Sequence, residues 1–236
     1  MKENIFRCFG ISKEDVKTLL SPLLENTNGV FVDVSERLLL VDITLKADDS
    51  NLFIYEFTRL IYENLGEYIY AESNLTIEEV ALQLLKINKL KIATAEDLTA
   101  GQIICNLVKN DNQFGNVIVE GVVPLSNHAK SRLNISKNEL DQCLTSPIQR
   151  ARNLAFGLLN QSTADVVVST TGAFDEKTEY QNNIPVFVAI GTNERVDVYK
   201  NTLSGTKSEI IDLTSNLALF YLIKKLRNFN SYLENN

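Results

Sequence analysis

Residues 91–101 read KIATAEDLTAG, and this stretch organises the second half of the chain. A β-branched, apolar run comes first, the acidic pair Glu96 and Asp97 follows, and the helix-like ICNLV begins shortly after Gly101. This order predicts a strand, a tight turn and a helix start. In open α/β folds ligands bind at the carboxyl end of such a strand, because helix N-terminal N–H groups point there and favour anions. Asp97 and Thr99 are therefore the first candidate site residues.

The whole chain has the composition of a globular protein. Its 236 residues are 44% hydrophobic and 22% charged, which argues against a disordered or fibrous class. The net charge of −7 opposes the counterion release that drives binding to nucleic acid. The N-terminal MKENIFRCFG has no apolar signal segment, and no apolar run approaches the roughly 18 residues of a membrane span. We expect a cytoplasmic protein with neither a membrane nor a nucleic acid as its partner.

The cysteines and the single histidine are predicted to have no chemical role. Cys8, Cys105 and Cys143 are too far apart in sequence for a disulfide framework or a zinc site, so buried free thiols are expected. No metal or other cofactor is predicted. His128 has no partner pattern for a Ser-His-Asp triad and is expected to lie exposed on a helix.

Residues 1–75 form the first predicted domain, of α+β type. Strand and helix patterns follow one another in the order β-α-β-β-α-β, a split βαβ fold. Ser12 is expected to cap the first helix, whose apolar positions continue to Leu24. A hairpin turn is expected at Ser35 and Glu36.

Residues 76–236 form the second predicted domain, of α/β type. Its first helix starts with a capping box made by Thr76 and Glu79. Further on, the β-branched run ADVVVSTTG predicts a buried strand, with Thr171 and Gly172 at its carboxyl end beside the first candidate site.

The stretch KIATAEDLTAG resembles the E-S-C-T-G-G signature of the CinA C-terminal domain, the nicotinamide-nucleotide amidase family. Glu96, Thr99 and Gly101 match the signature, whereas Asp97 stands where the family has its nucleophilic serine. The resemblance thus names a family and places a carboxylate at the centre of its site.

Three more motifs of this family can be matched. In VVPLSNHAK, Ser126, Asn127 and Lys130 agree with V-V-T-Y-S-N-x-x-K, but leucine replaces the tyrosine. Thr171 and Gly172 agree with the start of a glycine-rich loop, whose later glycines are replaced by bulky and acidic residues. The last motif, G-x-R-x-x-I-R, has lysine at residue 207 and isoleucine at residue 211 in place of two arginines, which weakens anion binding.

The resemblance implies a set of site residues. It places catalytic groups at Asp97, Thr99 and Lys130. It places ligand contacts at seven further positions, Glu96, Gly101, Ser126, Asn127, Thr171, Gly172 and Lys207.

The first domain resembles the KH-like domain of CinA proteins. The segment FGISKED, from Phe9 to Asp15, is similar to F-G-I-x-E-S-E near the start of that domain. RNA-binding KH modules hold backbone phosphates with a G-x-x-G loop, and no such loop occurs between residues 1 and 75. We therefore interpret this domain as a structural spacer. The resemblance does not include the molybdopterin-binding-like domain that precedes these parts in longer CinA proteins.

Two functions remain open from the sequence. A carboxylate cannot simply replace a serine nucleophile, because its acyl intermediate would be a strained anhydride, so the first hypothesis is a catalytically impaired protein that acts through ligand binding or association. The alternative is an active amidohydrolase on nicotinamide mononucleotide or a related amide, using Asp97 or Thr99 with Lys130. Asp97 as a mere helix cap is the structural alternative. Members of the family that the chain resembles are typically dimeric or larger, and the last helix carries more apolar residues than one core face needs, so a homodimer is expected.

Overall fold

The computed structural model of the chain describes residues 1–111, 117–133, 135, 136, 138, 146–175 and 177–233. The chain divides into two compact units, residues 1–80 and 81–236, whereas the sequence pattern placed the boundary between residues 75 and 76. In the described part of the chain, no helix has the length and apolar character needed to cross a membrane.

The first unit is a four-stranded antiparallel sheet with its helices in the predicted order. Its strands are β1 (Lys2–Phe9), β2 (Phe31–Arg37), β3 (Leu40–Ala47) and β4 (Ile69–Ala71). Its helices are α1 (Lys13–Leu19), α2 (Ser21–Glu25) and α3 (Phe53–Leu65), and α4 (Ile77–Ile87) follows. The spatial order β2-β3-β1-β4 is that of a split βαβ fold.

Alternation along the central strands builds the core of this unit. Val41, Ile43 and Leu45 of β3 are fully buried, because successive side chains of a strand point to opposite faces. Helix α3 buries Ile54, Phe57, Ile61 and Leu65, which recur at the three-to-four-residue spacing of one helix face. Each such side chain contributes about 1.5–3 kcal/mol when it is fully buried.

The single helix expected from Ser12 to Leu24 is two short helices. Leu20 lies between them, and Pro22 stands in the first turn of α2. Proline has no N–H to continue the α1 hydrogen-bond pattern and its ring clashes with the preceding turn. The break also leaves Leu19 42% exposed, contrary to the expected apolar stripe.

The predicted hairpin turn at Ser35 and Glu36 is wrong. The β2–β3 ladder continues through these residues to the pair Arg37–Leu40, so the turn is Leu38 and Leu39, with φ values of 50° and 59°. Positive φ at both positions is typical of the two-residue turns that match strand twist. The register, which keeps apolar side chains on the buried face, decides the turn position here, although leucine is a poor residue for this backbone.

The second unit is a five-stranded mixed sheet flanked by helices. Its strands are β5 (Ile92–Glu96), β6 (Ile118–Val122), β7 (Val166–Gly172), β8 (Tyr180–Thr192) and β9 (Val196–Thr206). Its helices are α5 (Gln102–Asn110), α6 (Asn127–Ser131), α7 (Pro147–Gln161) and α8 (Lys207–Leu233). The order is β6-β5-β7-β8-β9; β5 is parallel to β6 and β7, and β8 is antiparallel to both of its neighbours.

Strands β5 and β7 are buried on both faces, as their continuous apolar sequence predicts, whereas the edge strand β6 is half-buried to exposed. Helix α7 packs Ala151, Leu154 and Ala155 into one core with Ala93 of β5 and Val167 of β7. Helix α8 is also deeply buried: Ile210, Ala218, Leu222 and other apolar residues are covered within the single chain. The apolar character of the last helix therefore gives no separate argument for a dimer.

The cysteine prediction holds for one residue and fails for another. Cys8 is buried in β1, and burial raises the pKa of its thiol to about 12. Cys105 is exposed, because α5 buries Ile103 and Leu107 and Cys105 lies between them on the opposite face. Cys143 lies outside the described residues. His128 is exposed on α6, as expected.

Candidate functional site

Glu96, the last residue of β5, is a buried carboxylate with four hydrogen bonds. Its side chain accepts from the hydroxyls of Thr94 and Thr99 at 2.9 and 2.8 Å, and from the backbone N–H groups of Ile103 and Ile104 at 2.9 Å each. These N–H groups belong to the first turn of α5 and have no partner inside the helix. Glu96 therefore caps α5, and a direct contact with a ligand would require one of these bonds to break.

The turn between β5 and α5 explains why a distant side chain must do this capping. Gly101, the residue that precedes the helix, has a φ of 93° and no side chain to offer. Ala100 before it also has a positive φ, 51°, in a region that L-residues other than glycine adopt at a cost of about 1–2 kcal/mol. The predicted site residue Gly101 is thus needed for the backbone path.

Thr99 lies inside a chain of hydroxyl groups. It donates to Glu96, and its oxygen lies 2.8 Å from the hydroxyl of Thr170 on β7. Only 1% of Thr99 is exposed. The parallel pairing of β5 and β7 places Glu96 opposite Thr170, so this network joins the carboxyl ends of the two strands.

Asp97 is paired with two cations. Its Oδ2 lies 3.0 Å from Nζ of Lys130 and 3.9 Å from a guanidinium nitrogen of Arg150. The side chains are mostly buried, with 12% of Asp97, 8% of Lys130 and 17% of Arg150 exposed. The structure therefore contradicts the alternative in which Asp97 caps α5, since Glu96 has that role. The structure also brings together Asp97 and Lys130, two of the predicted catalytic residues.

Lys130 reaches this position because α6 starts just beyond β6. The hydroxyl of Ser126 accepts from the N–H of Ala129 at 3.1 Å and so caps α6. Ser126 and Asn127 are exposed, whereas Lys130, one turn later, is buried. The sequence motif thus contains both a helix cap and an inward-pointing lysine.

Thr171 and Gly172 lie at the end of β7. Thr171 is buried and donates to the carbonyl of Pro147 at the start of α7, at 3.3 Å. A methyl group on Gly172 would lie 3.0 Å from a terminal carbon of Leu98, so the leucine of the β5–α5 turn fills the space beside this glycine. Leu98 stands where the family signature has cysteine, and only 5% of its surface is exposed.

Lys207 is exposed at the start of α8. Its Nζ lies 6.0 Å from the ring centroid of Phe174, at the outer limit of a cation–π contact. Within the described residues, no hydrogen bond or ion pair joins Lys207 to Asp97 or Lys130. No group of three or more His, Cys, Asp or Glu side chains that could hold a metal is found among the residues that the structure describes.

Arg150 is a site residue that the sequence patterns did not reveal. It lies in the first turn of α7, three residues after Pro147, and that turn meets the end of β7 through Thr171. A charged residue in the first turn of a helix that follows the site motif was a usable signal. Whether such a residue reaches the site depends on the position of α7 against the sheet, and the local sequence does not predict that position.

The geometry defines a class of protein: an α/β domain whose polar and charged side chains gather where the parallel strands β5 and β7 end, the usual ligand position in open sheets. Residues 74–226 match the CinA C-terminal domain family. The chain belongs to the CinA family.

Curated relatives agree with this assignment. The chain is 30% identical over 233 residues to a competence-damage inducible protein of Caldicellulosiruptor saccharolyticus, covering 95% of this chain and 56% of that protein. It is 31% identical over 217 residues to a protein of the same name from a Thermoanaerobacter species, covering 89% of this chain and 52% of that protein. The chain thus spans about half the length of these relatives.

Solved structures show the same fold. The competence/damage inducible protein of Agrobacterium tumefaciens superposes with a TM-score of 0.53 at 25% identity, covering 64% of this chain and 95% of that one. A CinA superfamily protein of Enterobacter cloacae superposes with a TM-score of 0.57 at 22% identity, covering 66% of this chain and 96% of that one.

Proposed function

We propose that this CinA-family chain acts by binding a ligand or a partner at the ends of β5 and β7, and that it does not hydrolyse amides. The observation that carries the proposal is the ion pair of 3.0 Å between Asp97 and Lys130, at the position where the family resemblance implies a serine nucleophile. A carboxylate in a mostly buried ion pair is held in place by its partner. It has no hydroxyl proton to lose and no ready route to an acyl intermediate.

Neither neighbouring group is a clear replacement. Thr99 has 1% of its surface exposed, and its hydroxyl already donates to Glu96 and contacts Thr170. Lys130 would have to give up the Asp97 carboxylate before it could assist a different nucleophile. The ligand implied by the family resemblance is a nicotinamide nucleotide or a related small molecule.

An active amidohydrolase is the second candidate. One observation favours it: 12% of the Asp97 side chain is exposed, so water can reach a carboxylate that has a lysine beside it. Such a carboxylate could serve as a general base on water. The binding protein would leave an amide substrate intact, whereas the amidohydrolase would hydrolyse it. Amidase assays of the unmodified chain and of one set of variants therefore distinguish the two candidates.

The test uses Asp97→Ser with nicotinamide mononucleotide as the substrate. We expect the unmodified chain to release no nicotinamide, Asp97→Ser to release some, and Asp97→Ser with Leu125→Tyr to release more than either single variant, since groups that act as a unit are not additive. Asp197→Ser is the matched control, because Asp197 also pairs with a lysine of the same unit. Turnover of about 1 per second or more by the unmodified chain, abolished by Asp97→Ala, would overturn the proposal.

Ligand binding is tested separately by thermal shift. A ligand at 100 times its dissociation constant stabilises the folded state by roughly 2.7 kcal/mol. Nicotinamide mononucleotide should raise the melting temperature of the unmodified chain and of the Asp197→Ser control, but not that of Lys130→Ala. Association as a homodimer is tested by light scattering, where a concentration-independent mass of 26.5 kDa would exclude it.

A further inference from the structure

A cavity of about 340 Å³ opens between β6, α6 and α7. Four apolar residues line it, Val122, Ala129, Leu133 and Leu158. Three polar side chains complete the wall, those of Glu120, Arg132 and Gln161. The volume is near the lower end of the range for small-molecule sites, about 300–1,000 Å³, which suits an amino-acid-sized ligand better than a nucleotide.

The cavity is built from one face of each of three elements. Glu120 and Val122 are two residues apart on β6 and so share a face of the strand. Ala129 lies on α6, and Arg132 and Leu133 follow in the turn directly after it, three and four residues later, at the spacing of one helix face. Leu158 and Gln161 have the same relation on α7.

A glycine lets these elements approach closely. A methyl group on Gly157 of α7 would overlap the carbonyl oxygen of Leu133 and would lie 3.1 Å from its Cβ. Leu133 is in turn held by a backbone hydrogen bond of 3.0 Å to Lys130. The turn after α6 is therefore seated directly on α7, and the buried Leu133 and Leu158 form the floor of the cavity.

This cavity is separate from the Asp97 site. Lys130 lies between Ala129 and Arg132 in sequence, but its side chain reaches Asp97 and is buried. None of Asp97, Lys130 and Arg150 lines the cavity. The two faces of α6 thus serve two different places in the second unit.

The polar wall carries one group of each charge, and neither side chain is paired with another described residue. In the described part of the chain, the side chains of Glu120, Arg132 and Gln161 make no hydrogen bond or ion pair. All three side chains are exposed. A carboxylate and a guanidinium that line one small cavity without neutralising each other are complementary to a molecule that carries both charges.

We propose that this cavity binds a free α-amino acid with an apolar side chain. The ammonium group of the ligand would pair with the carboxylate of Glu120, and its carboxylate with the forked guanidinium of Arg132. Its side chain would cover the apolar floor formed by Leu133 and Leu158. The proposal does not depend on whether the Asp97 site is catalytic.

Isothermal titration of the full chain with L-leucine tests this proposal. Isovalerate and isoamylamine, which each keep one charged group and a similar apolar part, serve as half-ligands. We expect saturable binding of L-leucine and at least about 10-fold weaker binding of each half-ligand, because a charge-assisted hydrogen bond in a site is worth about that factor.

Variants locate the binding. Glu120→Gln and Arg132→Gln should each weaken L-leucine binding at least about 10-fold, with circular dichroism confirming the fold. Arg152→Gln is the matched control, because Arg152 is also exposed on α7 but does not line the cavity; it should bind normally. The absence of saturable L-leucine binding, or binding by Glu120→Gln and Arg132→Gln as tight as that of the unmodified chain, would each overturn the proposal.

Discussion

Two of the carboxylate–lysine ion pairs in the second unit have nearly the same chemistry in different surroundings. Asp97 lies 3.0 Å from Lys130, with Arg150 as a further cation, and Asp197 lies 2.8 Å from Lys225, with Arg195 as a further cation. The side chain of Asp97 is 12% exposed, and that of Asp197 is 26% exposed.

The second pair joins β9 to α8 as part of a structural contact. Tyr199 of β9 stacks on Tyr221 of α8 with ring centroids 4.0 Å apart, and Arg195 is 66% exposed. The first pair instead lies in the turn after β5, where polar groups from several elements converge. An ion pair alone therefore does not identify a site; its position at the strand ends, where polar groups from several elements converge, does.

The largest effect is expected at Glu96, which supports the region around Asp97. In Glu96→Ala two backbone N–H groups of α5 and two hydroxyls lose their buried acceptor, and each unsatisfied buried group costs about 1–3 kcal/mol. We expect the free energy of unfolding to fall by about 3 kcal/mol or more, as measured by urea denaturation.

A second glutamate provides the control for this prediction. Glu79 accepts from the N–H of Thr76 at 2.7 Å and caps α4 in a half-buried position. Glu79→Ala should cost only about 1 kcal/mol, an ordinary capping contribution. Equal losses in the two variants would show that the buried network around Glu96 adds nothing beyond a helix cap.

The next largest effect is expected at the two lysines. Removing one partner of a buried pair costs about 3–5 kcal/mol, and the nearby Arg150 should reduce this to about 2 kcal/mol for Lys130→Ala. Lys225→Ala should cost about 0.5–1 kcal/mol, as more exposed pairs do. Double-mutant cycles with Asp97→Ala and Asp197→Ala measure the two coupling energies. A coupling energy at Asp197 as large as that at Asp97 would remove the distinction drawn from burial.

The smallest effect is a pH dependence at Asp197. Burial by itself raises the pKa of this carboxyl, but the hydrogen bond and charge of Lys225, together with Arg195, lower it below its ordinary value. A lowered folded-state pKa contributes stability that is present above the unfolded pKa and is lost as the pH falls through the folded one. Between pH 5 and pH 2, the urea midpoint of Asp197→Asn should therefore fall less steeply than that of the unmodified chain, by the equivalent of about 0.5 kcal/mol. Parallel pH profiles would contradict this.

Local sequence patterns predicted helices and strands well where a single hydrophobic period or a single helix cap determines where the element begins. The capping box of Thr76 and Glu79 is present as predicted. Helix α7 starts at Pro147, a residue type favoured in the first turn of a helix. These features need only contacts between residues a few positions apart, so the sequence states them directly.

Predictions failed where a long-range contact competed with a local signal. Ser35 and Glu36 look like a turn, but the pairing of β2 with β3 carries the turn to Leu38 and Leu39. Cys105 looks apolar enough to be buried, yet the face of α5 that meets the core is the one with Ile103 and Leu107. In both cases the buried face selects the outcome, because shifting it would expose several apolar side chains.

The sequence by itself determined the α/β class, the CinA family and the presence of Glu96, Asp97 and Lys130 in its motifs. Only the tertiary structure decided which carboxylate has which role. Glu96 meets the N–H groups of α5 seven and eight residues later, and Thr99 meets Thr170, which is 71 residues away. Adjacent acidic residues look alike in sequence; strand order and helix position separate them, because they place hydrogen-bond donors around one carboxylate and cations around the other.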